Sequence, residues 1–136
     1  MDKKNYECLS HDSYTYEELT IKTIEPDFIE KIRRWRNAQL DILRQNNKIT
    51  KEEQSTYYKK NIWSDMGKTP KNILFGIFNK NTLIGYGGLV NISWRDKRAE
   101  ISFLIDKTFS HYEHGEILQK FIRLIKQVRH LQILKN

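Results

Sequence analysis

Asn81–Phe109, NTLIGYGGLVNISWRDKRAEISFLIDKTF, is the stretch whose reading decides the fold. It reads as two strands joined by a polar turn at Ser93–Asp96. Its first half, Thr82–Ile92, sets Leu83, Ile84, Tyr86, Leu89, Val90 and Ile92 among Gly85, Gly87 and Gly88. Glycine inside a strand costs conformational entropy and packs nothing, so this cluster predicts a bulge or a close approach by another group. In the second half Ala99, Ile101, Phe103 and Ile105 alternate with Glu100, Ser102 and Leu104, the period of a half-buried strand. Upstream, Asn72–Phe78 (NILFGIF) is a further apolar run, and Asn79-Lys80-Asn81 between them suits a hairpin. Three consecutive strands predict a meander at the centre of the domain.

Working outward, 136 residues predict a single domain, 1–136, with enough apolar content (38%) for a real core. Lys and Arg number 24 against 17 acids, a net charge of +7. That surplus favours anionic partners such as nucleotides, phosphates or nucleic acid, and disfavours polycationic ones. A single cysteine, Cys8, excludes an internal disulfide framework, and no Cys/His cluster has zinc spacing, so no metal is expected. The opening residues lack the apolar segment of a signal peptide, and no apolar run approaches membrane-spanning length. The expectation is a soluble cytoplasmic protein.

Along the chain, residues 1–15 read as a polar leader, irregular or frayed at its start. Tyr16–Ile24 alternates as a first strand. Pro26 sits where a helix accepts its first residue, and Phe28, Ile32 and Trp35 then space an amphipathic helix over Asp27–Asn37, with Trp35 facing the core. A second short helix follows at Ala38–Arg44, and Gln45–Ile49 reads as a loop. Thr50 with Glu53 forms a capping box that opens a helix to about Trp63. After Phe109 comes a helix with a broad apolar face from Ile117 to Val128, covered elsewhere by Lys120, Arg123, Lys126 and Arg129. Residues 129–136 read as the start of a further strand.

This order, strand, helices, three antiparallel strands, helix and broken strand, predicts a mixed α/β domain. The sequence resembles the GNAT superfamily of N-acetyltransferases, in the branch of ribosomal-protein N-terminal and small-amine acetyltransferases. Four pieces in register carry the likeness: Trp35-Arg36-Asn37, Ile49–Glu53, Leu83–Leu89 and Arg98–Ile105. The resemblance implies a GNAT-like, mainly antiparallel sheet flanked by helices, and transfer of an acetyl group from acetyl-CoA to a primary amine. It implies that the pantetheine arm lies along the fourth strand, with Ser102, Phe103, Leu104 and Ile105 as cofactor-binding residues. The pyrophosphate would sit at the start of the following helix, near His111 and Gly115. Glu100 matches the family's general base, with a solvated polar residue at the strand's start as the plain alternative. Tyr112 stands as a candidate acid for the leaving thiolate, or simply a loop aromatic. Trp35, Arg36, Asn37, Tyr86 and Gly87 would line the acceptor pocket, the alternatives being core packing, a helix terminus and a strand bulge.

Two features depart from the family pattern. The phosphate loop, Ser110–Ile117, has one glycine where two small residues are customary, and it carries Glu113 and Glu116. Ser110 and Glu113 also make a capping box of their own. In addition, most of the family's C-terminal strand, helix and hairpin is missing from the expected order. A shortened gene product, a degenerate remnant and a partner that supplies the missing layer, including a second copy, all fit. The acceptor expected is a small-molecule amine, for example of a nucleotide-linked amino sugar, or a protein N-terminus. A degenerate GNAT-like binding module is the alternative, and a basic nucleic-acid-binding domain, supported by charge alone, is disfavoured.

Overall fold

The computed structural model describes residues 6–42 and 48–132. Five antiparallel strands form one sheet in sequence order: β1 (Ser13–Tyr16), β2 (Leu19–Thr23), β3 (Ile73–Asn79), β4 (Thr82–Ser93) and β5 (Arg98–Ile105). Helices α1 (Ile29–Ile42) and α2 (Lys51–Tyr57) connect β2 to β3, and α3 (His111–Gln132) follows β5. The predicted meander is β3–β4–β5. The two residues between β3 and β4, Lys80 and Asn81, both take positive φ (50° and 72°), the geometry of a two-residue hairpin turn.

Alternation sorts the sheet into two faces. Ile21, Ile73, Phe75, Ile77 and Leu89 are buried on the face that α3 covers with Ile117, Phe121, Leu124, Ile125 and Val128. Phe103 of β5 reaches the same layer, with its ring 5.1 Å from Phe121. On the opposite face Phe28 packs edge-on to Phe78 at 5.2 Å, and Ile32 of α1 is fully buried. Each such side chain contributes roughly 1.5–3 kcal/mol by leaving water. Polar contacts fasten α3 to the β1–β2 turn: Lys120 pairs with Glu17 at 3.2 Å and with Glu18, and Arg123 donates to the Tyr16 hydroxyl at 2.6 Å.

The glycines of β4 have a direct explanation. A Cβ on Gly87 would stand 2.2 Å from the Ser102 carbonyl oxygen, and one on Gly88 1.9 Å from that of Ile73. The close approach is made by the neighbouring strands themselves. The register also slips where Ile77 faces Gly85 but Phe78 faces Leu83, leaving Ile84 as the extra residue of a bulge.

Several expectations are corrected. The polar leader carries core residues: Tyr6, Leu9 and Tyr14 are buried, and the Tyr6 hydroxyl accepts the Leu74 N–H at 3.1 Å, while residues 1–5, where fraying was expected, lie outside the described range. The first strand is a hairpin, turned at Glu17 (φ 54°) with no glycine or asparagine to announce it. The two helices expected over residues 27–44 are one helix through Ile42, led by a 3-10 turn at Pro26–Phe28; residues 43 and 44 lie outside the described range. The Thr50–Glu53 capping box is present, but α2 ends at Tyr57 and a π-turn, Tyr58–Ile62, finishes the segment. The strand start expected at 129–136 is helical as far as Gln132, and residues 133–136 lie outside the described range. Among the described residues no helix is long and apolar enough to cross a membrane.

Gly88→Ala is expected to cost about 1–3 kcal/mol, the range for forcing atoms into a packed interior. Gly115→Ala, whose Cβ would meet nothing within 4 Å, is expected to gain about 0.5–1 kcal/mol in helix α3. Urea denaturation of the two variants checks both signs.

Candidate active site

β5 ends the sheet, so among the described residues no strand pairs with its outer edge. Exposure falls along it: Glu100 and Ile101 are exposed, Ser102, Phe103 and Leu104 half-buried, and Ile105 buried. At its C-terminal end Leu104, Ile105, Asp106 and Lys107 face Trp35, Ala38 and Gln39 of α1 across a mainly apolar cleft of about 320 Å³. The Trp35 indole N–H donates to Asp106 Oδ2 at 3.3 Å, and the Thr108 N–H to Oδ1 at 3.0 Å. The Thr108 amide above all, then the Trp35 indole and the nearby Lys31, hold the Asp106 carboxyl below its usual range. Lys31 is itself anchored to the Leu83 carbonyl at 2.7 Å and lies 5.5 Å from the Trp35 ring centre.

From Asp106 a short turn leads to α3. Ser110 caps the helix through the Glu113 N–H (3.1 Å), and Glu113 Oε1 accepts the Ser110 N–H (3.0 Å). Those bonds, chiefly the one from the Ser110 backbone, keep the Glu113 carboxyl below its ordinary range. His114 stands edge-on to Phe103, with ring centres 5.3 Å apart, so the first turns of α3 rest against β5. Gly115 has open space where a side chain would be, whereas His111 and Tyr112 project into solvent.

On the α1 face of the sheet, Tyr86 lies beside Leu104 in the β4–β5 register. Arg36 donates to Gln54 Oε1 at 3.3 Å, and its guanidinium carbon is 5.9 Å from the Tyr57 ring centre. Burial raises the Tyr86 hydroxyl above its usual range, against an opposing pull from the charge of Arg36. Asn37 is engaged elsewhere. Its amide exchanges two hydrogen bonds with the backbone of Ile49, at 3.0 and 2.7 Å, and holds the segment before α2 against α1. Gly87 is occupied with the approach of Ser102. At the other end of β5 Glu100 is exposed and accepts a bond from Asn91 Nδ2 at 2.9 Å.

The fold therefore sets Trp35, Leu104 and Ile105 around one cleft, Phe103 against His114 at the start of α3, and Tyr86 opposite Leu104. It does not bring Glu100 and Tyr112 together. Glu100 and Ile105 are about 17 Å apart along the strand, and Tyr112 lies beyond Ile105. Asp106, Ala38, Gln39 and Gln54 are the residues that sequence reading missed. Asp106 had a signal, an aspartate two residues before Thr108 at the end of an apolar run, which is the pattern of an Asx turn. Among the described residues no three His, Cys, Asp or Glu side chains gather as a metal site.

Residues 21–135 match the family described as an acetyltransferase (GNAT) domain, and the chain belongs to that family. No curated protein is similar enough in sequence to count as a relative. Among solved structures, the spermidine N-acetyltransferase from Vibrio cholerae, in complex with CoA and spermine, superimposes with a TM-score of 0.63 at 17% identity, over 79% of this chain and 62% of that one. A ribosomal L7/L12 alpha-N-protein acetyltransferase in complex with coenzyme A gives 0.59 at 15% identity, over 79% and 65%. The ribosomal-protein-S5-alanine acetyltransferase from Vibrio fischeri gives 0.52 at 13% identity, over 88% and 69%. At these identities the likeness is one of fold, and the chain spans less than two thirds of the length of the first and second of these proteins.

Because the Asp106 carboxyl is depressed in the folded state, its contribution to stability is fully present above about pH 4 and is lost as pH falls through its lower folded value. Asp106→Asn is expected to destabilise by about 1 kcal/mol at pH 7, and the gap from the native protein is expected to close toward pH 2. Thermal melts across that range, followed by tryptophan fluorescence, check the prediction.

Proposed function

We propose that this domain binds acetyl-CoA along the outer edge of β5 and transfers its acetyl group to a primary amine. One observation carries the reading: the unpaired edge of β5 leads into the apolar cleft beside Trp35, whose lining includes Leu104 and Ile105. A pantetheine arm carries amide groups that hydrogen-bond to a strand edge and a flexible chain that suits an apolar cleft. The pyrophosphate would then meet the first turn of α3 near His111, His114 and Gly115, where helix N–H groups favour negative charge. A β5 amide near Ser102 would donate to the thioester carbonyl oxygen and stabilise the oxyanion of the tetrahedral intermediate.

In this scheme Glu100 acts as base at the exposed start of β5. The ammonium of the acceptor loses a proton to its carboxylate, directly or through one water, and the freed nitrogen attacks the thioester carbon. The tetrahedral intermediate collapses with cleavage of the C–S bond, and the CoA thiolate leaves and takes up a proton. The products are the amide and free CoA. Tyr112, exposed beyond the other end of β5, has no part in the scheme.

A second reading has its own support. Ser110 and Glu113 already satisfy amides at the start of α3, and Glu113 sets a carboxylate where the pyrophosphate would lie. A GNAT-like binding module without acyl transfer would keep such a closed helix start. Thermal stability with CoA separates the two, since a ligand at one hundred times its dissociation constant stabilises by about 2.7 kcal/mol. That gain is expected here, and Ala38→Trp, which fills the cleft, is expected to abolish it. No shift with CoA, or an undiminished shift in the filled variant, would reject the acyl-donor path. Glu100→Gln is expected to lower kcat/KM on an amine by about 100-fold or more at neutral pH, as measured by release of free thiol.

A further inference from the structure

Three arginines on α1 differ in their company. Arg33 and Arg34 both pair with Glu30, at 2.7 and 3.3 Å. Arg36, half-buried, has no carboxylate partner among the described residues. Half-burial removes water from a guanidinium, and a fixed charge so placed ordinarily finds an anion. The surroundings hold it in position without neutralising it. Gln54, 1% exposed, gives its Nε2–H to the Ile29 carbonyl at 3.0 Å and so points Oε1 at Arg36. The Tyr57 ring lies under the guanidinium, and Tyr58 braces Tyr57 edge-on at 5.5 Å. That bracing depends on the π-turn starting at Tyr58, where the Trp63 N–H reaches back to the Tyr58 carbonyl at 2.7 Å.

The charge of Arg36 acts on the buried hydroxyl of Tyr58 and on that of Tyr86. Burial raises both above the usual phenol range, so both are protonated donors at neutral pH. A guanidinium with no carboxylate partner among the described residues, within electrostatic reach of phenolic O–H donors, is the chemistry that recognises a carboxylate or a phosphate. The site also has a definite relation to the acyl-donor path. Tyr86 is paired with Leu104, which lines the cleft, and Ser102 is two residues, roughly 7 Å, further along β5.

We propose that Arg36, oriented by Gln54 and Tyr57 and joined by the Tyr86 hydroxyl, binds a carboxylate or phosphate on the acceptor, so that the substrate is an amine bearing an anionic group a few atoms from its nitrogen. This deepens the acyl-transfer reading and rests on it for the identity of the acceptor. It does not rest on it for the anion site itself. The positive surplus of the chain acts in the same sense, drawing anionic acceptors and repelling polyamines.

The test has a binding arm and a kinetic arm, both on the 136-residue chain. In the first, the Arg36 Nε–H and Gln54 side-chain amide resonances are followed by NMR as inorganic phosphate or acetate is added at constant ionic strength. Both resonances are expected to move saturably, and the stronger ligand distinguishes phosphate from carboxylate recognition. Tyr86→Phe, which keeps the ring and the packing, is expected to weaken the response about threefold or more. In the second arm, 2-aminoethyl phosphate and β-alanine are expected to show KM values at least about tenfold below that of n-propylamine. Arg36→Gln is expected to narrow that gap about tenfold.

Resonances that do not move, or that move no more than surface lysines and arginines, would overturn the proposal. So would the same movement produced by CoA alone, since the anion bound would then be the cofactor's own phosphate. Equal KM values for charged and neutral amines would overturn the acceptor assignment. If no amine is acetylated while Arg36 still answers to phosphate or acetate, the acyl-transfer reading falls and the anion site stands. If transfer proceeds without charge discrimination and Arg36 is silent, the reverse holds.

Discussion

At Gly87 and Gly88 strand β4 runs so close to its neighbours that a single extra carbon would lie within 2.2 Å of a carbonyl oxygen on one side or the other. That constraint organises the molecule. It locks β4 between β3 and β5, fixes the register that sets Tyr86 beside Leu104, and thereby decides which side chains share the face under α1. The bulge at Ile84 belongs to the same adjustment, because the chain absorbs one extra residue just before the tight passage. The close seating of β5 against β4 is in turn a product of its neighbour's lack of side chains at Gly85 and Gly87.

The meander is legible in the sequence because the apolar period of two in Ala99–Ile105 and the asparagines around Lys80 are local signals, and local physics determines them. Both capping boxes are legible for the same reason: the Ser or Thr and the Glu three residues on hold each other's backbone amides wherever the chain goes. The three glycines can be read as a close approach, but not as an approach by which group, since the answer lies on strands far away in sequence. The leader reads as polar and irregular because its polarity is all that a local window shows. Tyr6 is buried by a partner at Leu74, and no window of sequence contains both.

The site divides along the same line. The strand residues Ser102–Ile105 can be located by alternation and resemblance, because a strand carries its neighbours with it. Asn37 reads as part of the acceptor pocket, whereas its amide is committed to the Ile49 backbone, a pairing that depends on where the chain returns after the loop. Gln54 carries no signal. A glutamine on a charged helix reads as a solvated residue, and only the packing of α1 against α2 turns it into a buried support for Arg36. Residues whose partners are set by tertiary geometry are the ones that sequence reading is least able to place.

The bond between the Tyr6 hydroxyl and the Leu74 amide joins the two ends of a 68-residue interval. Closing so long a loop costs entropy that must be met before the contact offers any return. During synthesis Tyr6 therefore waits, its aromatic ring exposed, until β3 has been made and can receive it. The pocket that the Tyr6 ring fills is closed by a residue made 68 positions before its partner.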